Sequence, residues 1–471
     1  MLKADRDIYD VIIIGAGIGG LVCGCYLAKA GMKVLIAEQH YKPGGYCTSF
    51  KRQGFTFDAA AHSLGGYKNG SLGKVFKELG IDKKIEIRQT DPSNIIITPD
   101  FKISFWADLD RTIKDIQTVF PEERKNIKVF LNFLFNPDPK HFARMRGQTF
   151  KSILDSYFND NKLRAALSFP MLNGGLPPSK MSAFIGSYIL REFILDGGYH
   201  PVGSMQALPD ALVEIFKESG GELRLSCLVK KIKVKDNNVT GIVLENGEYI
   251  PSRYIISNCD AMQTFYELLE KKVVNQDFLT KINNMVPSLS IFVLYLGLDE
   301  YFDKLPEPGT NAWFIPHYNI DKLCHSEEEG DFRNGYMIHV SPAPNQKSLL
   351  TFAISPFKNK RYWENNKRKW LESFIRIIEK HSIPGLTKHI VYKDAATPYT
   401  FYRYTLNYKG SAFGWAGTPS QLAVPDMRKP SFIQNLYLTG HWTTLGTGIP
   451  GVMYVGQDTA KMILKKEKIK L

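Results

Sequence analysis

The first forty residues alternate short apolar runs with glycine-rich turns. Residues 11–14 form an uninterrupted β-branched run, which predicts a strand buried on both faces. Residues 21–30 read as a helix that stops at Gly31, a common residue type directly after a helix end. A second apolar run over 33–37 ends at Glu38. This order predicts a complete βαβ unit with short connections.

The rest of the chain continues as a mixture of helices and strands without repeats or a low-complexity linker. The predicted segments are helices over 120–194, strands near 223–226, 232–235, 239–245 and 254–257 with a hairpin turn at Asn246-Gly247, strands over 289–297 and 335–356, a helix from 358 to about 384, a strand over 435–438 and a final helix to 463.

Length and composition indicate a globular protein with more than one core. A chain of 471 residues exceeds what one ordinary core accommodates, and 44% hydrophobic with 23% charged residues excludes a disordered protein. Aromatic residues make up 12% of the chain. That content fits a long apolar cavity, and it fits a large packed core equally well.

The charge is strongly positive, with a formal net charge of +13. Nucleic acid, an anionic membrane surface and anionic substrates could all explain it. Because the sequence has no nucleic-acid motif, we expect no nucleic-acid partner. The densest basic segment is the tail 465–470, which reads as a solvated helix end or as a membrane contact.

Cysteine spacing and hydropathy set an expectation for location. The six cysteines fit neither a zinc site nor a disulfide framework, so we expect reduced thiols and no metal. No signal peptide and no membrane-spanning apolar run stand out. We therefore expect a cytoplasmic protein whose membrane contact, where it occurs, is peripheral.

The turn after the first predicted strand carries the pattern G-x-G-x-x-G at Gly15, Gly17 and Gly20. The first glycine permits a tight turn, the second lets backbone approach a pyrophosphate, and the third allows close helix–strand packing. Glu38 ends the next strand and can accept hydrogen bonds from a ribose, whereas it would repel a 2′-phosphate. The pattern predicts a dinucleotide site for FAD or NAD rather than NADP. Ordinary turn glycines are the alternative.

Gly44 and Gly45 follow Glu38 closely. An extended FAD needs a second close backbone pass for its phosphates and ribityl chain, so this pair favours FAD, although such pairs also occur in plain turns.

These elements resemble the phytoene desaturase family of FAD-dependent oxidoreductases, which also holds carotenoid isomerases and retinol saturases. The segments that carry the resemblance are 15–20, Glu38, Gly44-Gly45, 54–62, 203–208, 220–223, 229–232, 435–440 and 448–452. Four residues depart from what many relatives have, namely Ala60, His441, Gln457 and Asp458.

The resemblance implies an α/β fold in which a Rossmann-like FAD-binding domain of the glutathione-reductase-2 type is interleaved with a sheet-plus-helix substrate domain. The implied FAD-binding domain comprises 1–66, 198–285 and 425–471, and the implied substrate domain comprises 67–197 and 286–424.

The resemblance also implies the function. The expected cofactor is FAD, and the expected substrate is an extended apolar polyene or isoprenoid, desaturated by hydride transfer to flavin N5. A flavin-dependent polyene isomerase or saturase remains an alternative on the same fold, as does a non-catalytic prenyl- or lipid-binding protein. The oligomeric state stays open.

Cofactor-binding residues follow from the matched motifs, with the backbone at Val229 expected at the adenine. The predicted set is Gly15, Gly17, Gly19, Gly20, Glu38, Gly44, Gly45, Val229, Gly440, Gly448, Ile449, Gly451 and Val452.

The last glycine-rich motif precedes a helix. Gly446, Gly448 and Gly451 permit a close backbone pass, and Pro450 suits a first helical turn. The helix N-terminus would stabilise negative charge on a reduced flavin by roughly 1 kcal/mol. An ordinary capped helix is the alternative reading.

His62, His200 and His441 are the histidines nearest to these motifs. A lone histidine is most often structural. His62 and His441 form the best candidate pair for catalytic acid–base work or substrate positioning.

Two aromatic segments are candidates for substrate contact. Residues 397–404 with 410–415 predict either a wall of a substrate tunnel or a packed aromatic strand pair. Residues 181–195 could line the tunnel mouth or touch lipid, although such a stripe is more often core.

Overall fold

The structure is a computed structural model that describes residues 8–68, 70–135, 145, 147–168, 173–323, 332–343, 347–424, 427–443 and 448–470. Within these residues the strands are β1 Tyr9–Ile14, β2 Val34–Ala37, β3 Ser49–Arg52, β4 Phe55–Asp58, β5 Leu64–Gly65, β6 Ile87–Thr90, β7 Asn94–Ile97, β8 Lys102–Phe105, β9 Gly198–Pro201, β10 Glu222–Arg224, β11 Val229–Lys235, β12 Asn238–Leu244, β13 Tyr249–Ser257, β14 Ser290–Leu298, β15 Asn311–Phe314, β16 Tyr336–Val340, β17 Ser348–Ser355, β18 Ile390–Ala396 and β19 Leu436–Leu438. The helices are α1 Ile18–Lys29, α2 Ser71–Leu79, α3 Leu109–Val119, α4 Arg124–Phe135, α5 Phe150–Tyr157, α6 Asn161–Leu167, α7 Ala183–Leu195, α8 Ala207–Glu218, α9 Gln276–Asn283, α10 Ile320–Leu323, α11 Lys360–His381, α12 Leu386–His389, α13 Pro398–Thr405, α14 Pro419–Leu422 and α15 Gly448–Glu467.

The first sheet contains the predicted βαβ unit. Its parallel strands lie in the order β10-β2-β1-β13-β19, so the ends of the chain meet in one layer. The first half of β13 also pairs with β12, and β12 pairs with β11, which adds an antiparallel meander. Helices α1, α8 and α15 share a core with the sheet on one side. The apolar run of β1 is buried because both faces of the sheet are covered.

The second sheet has the order β18-β14-β17-β16-β15-β7-β8. Its pairs are antiparallel except for β15 with β7. One face of this sheet packs in a core with helices α3 to α7. Helix α11 covers the other face through Trp363, Trp370 and Phe374. Every residue of β14 is consequently buried.

The structure also has two small sheets. Strand β3 pairs with β4, and β9 pairs with both β5 and β6. Leu72 and Phe76 of α2 pack into the core of the first sheet, although the predicted boundary puts them in the substrate domain. The domain boundaries themselves stay a prediction.

Several predicted segments differ in detail from the structure. Residues 398–405 form helix α13 rather than a strand, because Thr397 and Thr400 build a capping box and Pro398 occupies the first turn. The last helix continues past residue 463 to Glu467, which accepts hydrogen bonds from Arg253 and Tyr254. The strands β3 to β8 were not anticipated from the sequence.

None of the helices within the described residues is long and apolar enough to cross a membrane.

The crossing of α1 and α15 yields a stability prediction. A methyl group added at Gly456 would lie 2.5 Å from the carbonyl oxygen of Gly19 and 3.2 Å from Cβ of Val22. We therefore expect Gly456→Ala to lower the free energy of unfolding by about 1–3 kcal/mol, since overpacking forces the helices apart. Urea unfolding measures this difference.

The matched control is Gly147→Ala, where the added methyl meets no described atom within 4 Å. Equal unfolding midpoints for the two variants would contradict tight packing at this crossing.

Candidate dinucleotide and substrate cavity

A cavity of about 850 Å³ is lined by residues from both large sheets. This volume is in the upper range of ligand-binding cavities. One end is formed by the loops that follow β1, β2, β13 and β19, which is the edge where parallel sheets bind ligands. The other end is formed by β14, β17 and α13.

The two predicted glycine turns form the first end of the cavity together. The Gly15 N–H donates to Ala37 O at 2.8 Å, and the Gly44 N–H donates to Ala16 O at 2.8 Å. Gly15 and Gly44 have φ values of +98° and +124°, which favour glycine. The second turn therefore lies directly against the first.

Most of the predicted glycines contact the cavity itself. Gly15, Gly17, Gly19, Gly44 and Gly45 all line it. Gly20 is buried beneath them, where a Cβ atom would clash with the Gly15 carbonyl oxygen. Gly20 thus serves the close helix–strand packing that the motif predicts.

Glu38 lies between the two turns and also lines the cavity. Its carboxylate accepts from Ala16 N–H at 2.6 Å and from His40 N–H at 2.8 Å. Burial raises the pKa of Glu38, which the two backbone hydrogen bonds oppose. The carboxylate keeps lone pairs for the hydroxyl groups of a ribose.

Asn258 is a central residue of this end that sequence reasoning missed. It follows β13, lines the cavity and donates from Nδ2 to Gly15 O at 3.3 Å. A Cβ atom at Gly17 would lie 2.9 Å from Nδ2, and one at Gly440 would lie 2.5 Å from Oδ1. A polar residue directly after a buried strand, at the binding edge of a parallel sheet, is the signal that could have identified it.

The middle and C-terminal motifs complete the same end. Val229, Gly440, Gly448, Ile449 and Val452 line the cavity. The N-terminus of α15 therefore opens onto it, where free N–H groups and the helix dipole favour negative charge. Gly451 is buried in the first turn of α15 and lies outside the lining, and Gly446 lies outside the described residues.

This end of the cavity fits an extended dinucleotide. Two glycine turns offer close backbone approach, Glu38 suits a ribose, Val229 suits an adenine and the α15 N-terminus suits an anionic ring edge. A Cβ atom at Gly17, Gly19 or Gly44 would clash with neighbouring protein atoms, so only glycine allows the backbone to form this surface of the cavity.

The predicted histidine pair lines the cavity, but the two rings have different neighbours. The His62 ring centroid lies 5.4 Å from those of His339 and Phe352. The His441 ring centroid lies 5.9 Å from that of Tyr46. Burial lowers the pKa of both His62 and His441 to about 4, so both are neutral at pH ~7.

His200 lies outside the lining and is buried beside Asp58, whose Oδ2 lies 3.2 Å from Nε2. His339 is equally buried, and its ring centroid lies 6.1 Å from that of His200. Sequence reasoning missed His339, since it lies far along the chain from every glycine motif.

The second end of the cavity is aromatic and apolar. Phe50, Ile291, Tyr295, Phe352 and Phe401 line it. The predicted aromatic segment 397–404 contributes to this wall as helix α13, so the alternative of a packed strand pair is wrong.

Helix α7, in the predicted segment 181–195, serves two purposes. Tyr188, Ile189 and Glu192 line the cavity, whereas Ile185 and Leu190 are buried in the core beneath the second sheet.

Two of the four departures from the family pattern have a structural role. Gln457 donates to Tyr26 Oη at 2.8 Å, and Asp458 accepts from Arg428. Ala60 and His441 line the cavity.

The position of Glu38 yields a prediction about cofactor binding. We expect Glu38→Ala to raise the dissociation constant for FAD about tenfold or more, because hydrogen bonds to a charged group are lost. The unfolding temperature should fall more for the FAD-bound protein than for the apoprotein. Fluorescence titration and thermal unfolding of both forms measure this.

Glu245→Ala, at an exposed turn, is the matched control. An equal loss of stability in the apo and FAD-bound forms of Glu38→Ala would make Glu38 a structural residue only.

Curated relatives resemble the chain over nearly its whole length. The lycopene-forming phytoene desaturase of Pantoea ananas is 27% identical, over 96% of this chain and 98% of its own. The all-trans-retinol 13,14-reductase of Danio rerio is 25% identical, over 97% and 86%. The chloroplastic prolycopene isomerase of Daucus carota is 26% identical, over 95% and 78%.

Solved structures share the fold. An oxidoreductase from Methanosarcina mazei has a TM-score of 0.68 at 17% identity, covering 96% of this chain and 99% of its own. Wild-type putrescine oxidase bound to putrescine has a TM-score of 0.64 at 14% identity, covering 97% and 99%. The predicted α/β fold with an FAD-binding domain and a substrate domain is confirmed.

Residues 18–464 match the family described as Flavin containing amine oxidoreductase. This span begins inside the first glycine turn, after Gly15 and Gly17, and includes Glu38, Gly44-Gly45, Val229 and the start of α15. Together with Gly15 and Gly17 these residues fit FAD as the cofactor. The chain therefore belongs to the Flavin containing amine oxidoreductase family.

Proposed function

We propose that this FAD-dependent oxidoreductase acts on an extended apolar polyene or isoprenoid, by desaturation of the carotenoid type. The proposal goes beyond the family, whose name refers to amines. It rests on the chemistry of the cavity wall and on the names of the curated relatives.

The observation that carries the proposal is the continuity of one cavity from the glycine turns to an apolar wall. Tyr46 and Tyr295 face this wall, yet their hydroxyls donate to the backbone carbonyls of Ser411 at 2.7 Å and Ala59 at 2.5 Å. Their polar atoms are thus satisfied away from a ligand. A ligand that follows this wall gains affinity from burial of apolar surface, at about 25 cal/mol per Å².

Bound FAD supplies two-electron chemistry and accepts a hydride at N5. The chain's own residues bind and orient the substrate and exclude water. Phe352 and Phe401 offer flat apolar surfaces to a conjugated chain. His62 and His441 are neutral, so neither ring adds a positive charge to the cavity. Catalytic roles for His62 and His441 stay a prediction.

Isomerisation or saturation of a polyene is the second candidate. The retinol reductase and prolycopene isomerase relatives are about as similar to this chain as the desaturase, so similarity does not favour one reaction. A non-catalytic prenyl- or lipid-binding protein is the third candidate. It would be supported if the FAD-loaded protein turns over no polyene.

A cavity-filling variant tests the substrate proposal. Ala412 lines the cavity, so we expect Ala412→Phe to lower polyene turnover about tenfold or more while FAD content stays unchanged. Holoprotein is mixed anaerobically with a linear polyene in phosphatidylcholine vesicles. Loss of visible flavin absorbance and the product spectrum are followed.

Ala423→Phe, at an exposed position, is the matched control and should behave as the wild type. Turnover by the oxidised protein supports desaturation, whereas turnover only after prior reduction supports an isomerase or saturase. A protein that oxidises putrescine and ignores every polyene would contradict the proposal.

We propose in addition that the protein contacts an anionic membrane surface through the cavity rim, defined as Tyr41, Arg52, Lys360, Arg403 and Tyr404. All five line the cavity and are exposed, Tyr41 at 70% and Tyr404 at 48%. The Arg403 guanidinium lies 4.6 Å from the Tyr404 ring centroid. Tyrosines with basic neighbours suit a lipid headgroup region, and an apolar substrate would pass directly from lipid into the cavity.

Charge-matched double variants test this contact. We expect Arg52→Gln/Arg403→Gln to lose most binding to vesicles of phosphatidylglycerol and phosphatidylcholine, since each basic residue contributes about 1 kcal/mol near an anionic surface. Flotation of the holoprotein with vesicles measures the bound fraction.

Lys465→Gln/Lys468→Gln removes the same charge from the C-terminal tail and should retain binding. If only the tail variant loses binding, the membrane contact belongs to the tail and not to the cavity rim. If the wild type does not bind vesicles, the proposed membrane contact is refuted.

A further inference from the structure

Three histidines from different parts of the chain meet beside the cavity. His62 follows β4, His200 lies on β9 and His339 lies on β16. The His339 ring lies close to both others, with centroid distances of 5.4 Å to His62 and 6.1 Å to His200. All three are buried, and of these only His62 lines the cavity.

The hydrogen bonds of His339 define which of its nitrogens carries the proton. Nδ1 lies 2.9 Å from Asn311 Oδ1, so Nδ1 donates and Nε2 is left as an acceptor in the neutral ring. His339 Nε2 is buried and has no hydrogen-bond partner among the described residues. A buried acceptor without a partner is costly, so a proton placed on this nitrogen would supply the interaction that it lacks.

His62 has the same arrangement. Its Nδ1 lies 3.1 Å from Ala60 O, an acceptor, so Nδ1 donates and Nε2 is the bare nitrogen of the neutral ring. Burial lowers the pKa of both His62 and His339, which keeps both rings neutral before any charge enters the cavity.

His200 differs because both of its nitrogens face acceptors. Nδ1 lies 2.7 Å from Pro201 O, and Nε2 lies 3.2 Å from Asp58 Oδ2. Asp58 Oδ1 also accepts from Ser49 Oγ and Met205 N–H. Asp58 on β4 and His200 on β9 are neighbouring titratable groups, and their charges affect the pKa of His62 or of His339. Asp58 and His200 are hydrogen-bonded to each other.

We propose that His62 and His339 form a proton-accepting pair that takes up one proton when the bound flavin is reduced. His62 lines the cavity, and His339 shares the proton that His62 takes up. Asn311 and the Ala60 carbonyl hold both Nε2 atoms in the bare, accepting state. The proposal depends on bound FAD and not on the substrate.

The charge balance explains why the pair is needed. Two electrons and one proton added to the flavin lower the net charge of the cavity by one. A second proton, taken from solvent onto His62 and shared with His339, restores that charge. A buried charge without compensation is unfavourable in a low-dielectric site.

The test is the pH dependence of the flavin midpoint potential in the holoprotein, measured by spectroelectrochemistry from about pH 6 to about pH 9. Each proton taken up per two electrons adds about 30 mV per pH unit to the slope. We expect about two protons per two electrons for the wild type near pH ~7. We expect about one for His62→Gln and for His339→Gln.

His381→Gln is the matched control, since His381 is exposed at the end of α11, and it should keep the wild-type slope. The proposal would be overturned if the wild-type slope corresponds to one proton per two electrons. It would also be overturned if FAD-loaded His339→Gln keeps the wild-type slope. If His339→Gln does not retain FAD, Asn311→Asp replaces it. A carboxylate at Nδ1 stabilises the imidazolium form of His339, which takes its proton from solvent before the flavin is reduced. Proton uptake on reduction should then fall to one, and an unchanged slope would refute the pair.

These outcomes are independent of the polyene assay. A holoprotein that turns over no polyene but shows the expected slopes would refute the proposed substrate alone. Polyene turnover with unaltered slopes in the variants would refute the proton pair alone.

Discussion

A backbone contact among Gly19, Gly440 and Gly456 holds the two ends of the chain together, and the cavity depends on it. A Cβ atom at Gly19 would lie 2.9 Å from Cα of Gly440, and one at Gly456 would lie 2.5 Å from the Gly19 carbonyl oxygen. Because no side chain separates them, α1, the loop after β19 and α15 approach at backbone distance. Only then can the G-x-G-x-x-G turn and the α15 N-terminus line the same cavity.

The two sheets contribute different chemistry to that cavity. The parallel sheet ends in backbone N–H groups, Glu38 and Asn258, which suit phosphate and ribose. The second sheet contributes Ile291, Tyr295 and Phe352, which are apolar except for the Tyr295 hydroxyl, and that hydroxyl donates to Ala59 O. Burial at their junction lowers the pKa of His62 and His441, so the flavin would meet neutral rings rather than cations. The cavity therefore combines a polar end that fits the cofactor with an apolar end.

Much of the cofactor end was predictable, because its residues are close together along the chain. The glycine turn, Glu38 and Gly44-Gly45 lie within thirty-one residues of one another, and their spacing reflects one βαβ unit. Asn258 and His339 were not predictable in this way. Asn258 reaches Gly15 only because β13 pairs in parallel with β1, and His339 reaches His62 only through the packing of β16 against the loop after β4. The aromatic segment that begins at Thr397 became a helix because a local capping box outweighed its strand-like composition.

The sequence by itself determined the βαβ unit, the dinucleotide site and the acidic residue that selects against a 2′-phosphate. These depend on local spacing, backbone conformations that favour glycine and the burial of short apolar runs, all of which are encoded within a few neighbouring residues. Only the tertiary structure decided which distant residues form the apolar wall of the cavity, that Asn258 fills the space beside the glycines, and that three histidines share one buried cluster. Those outcomes depend on pairing between strands that lie hundreds of residues apart, and residue spacing along a chain carries no information about which distant surfaces will pack together.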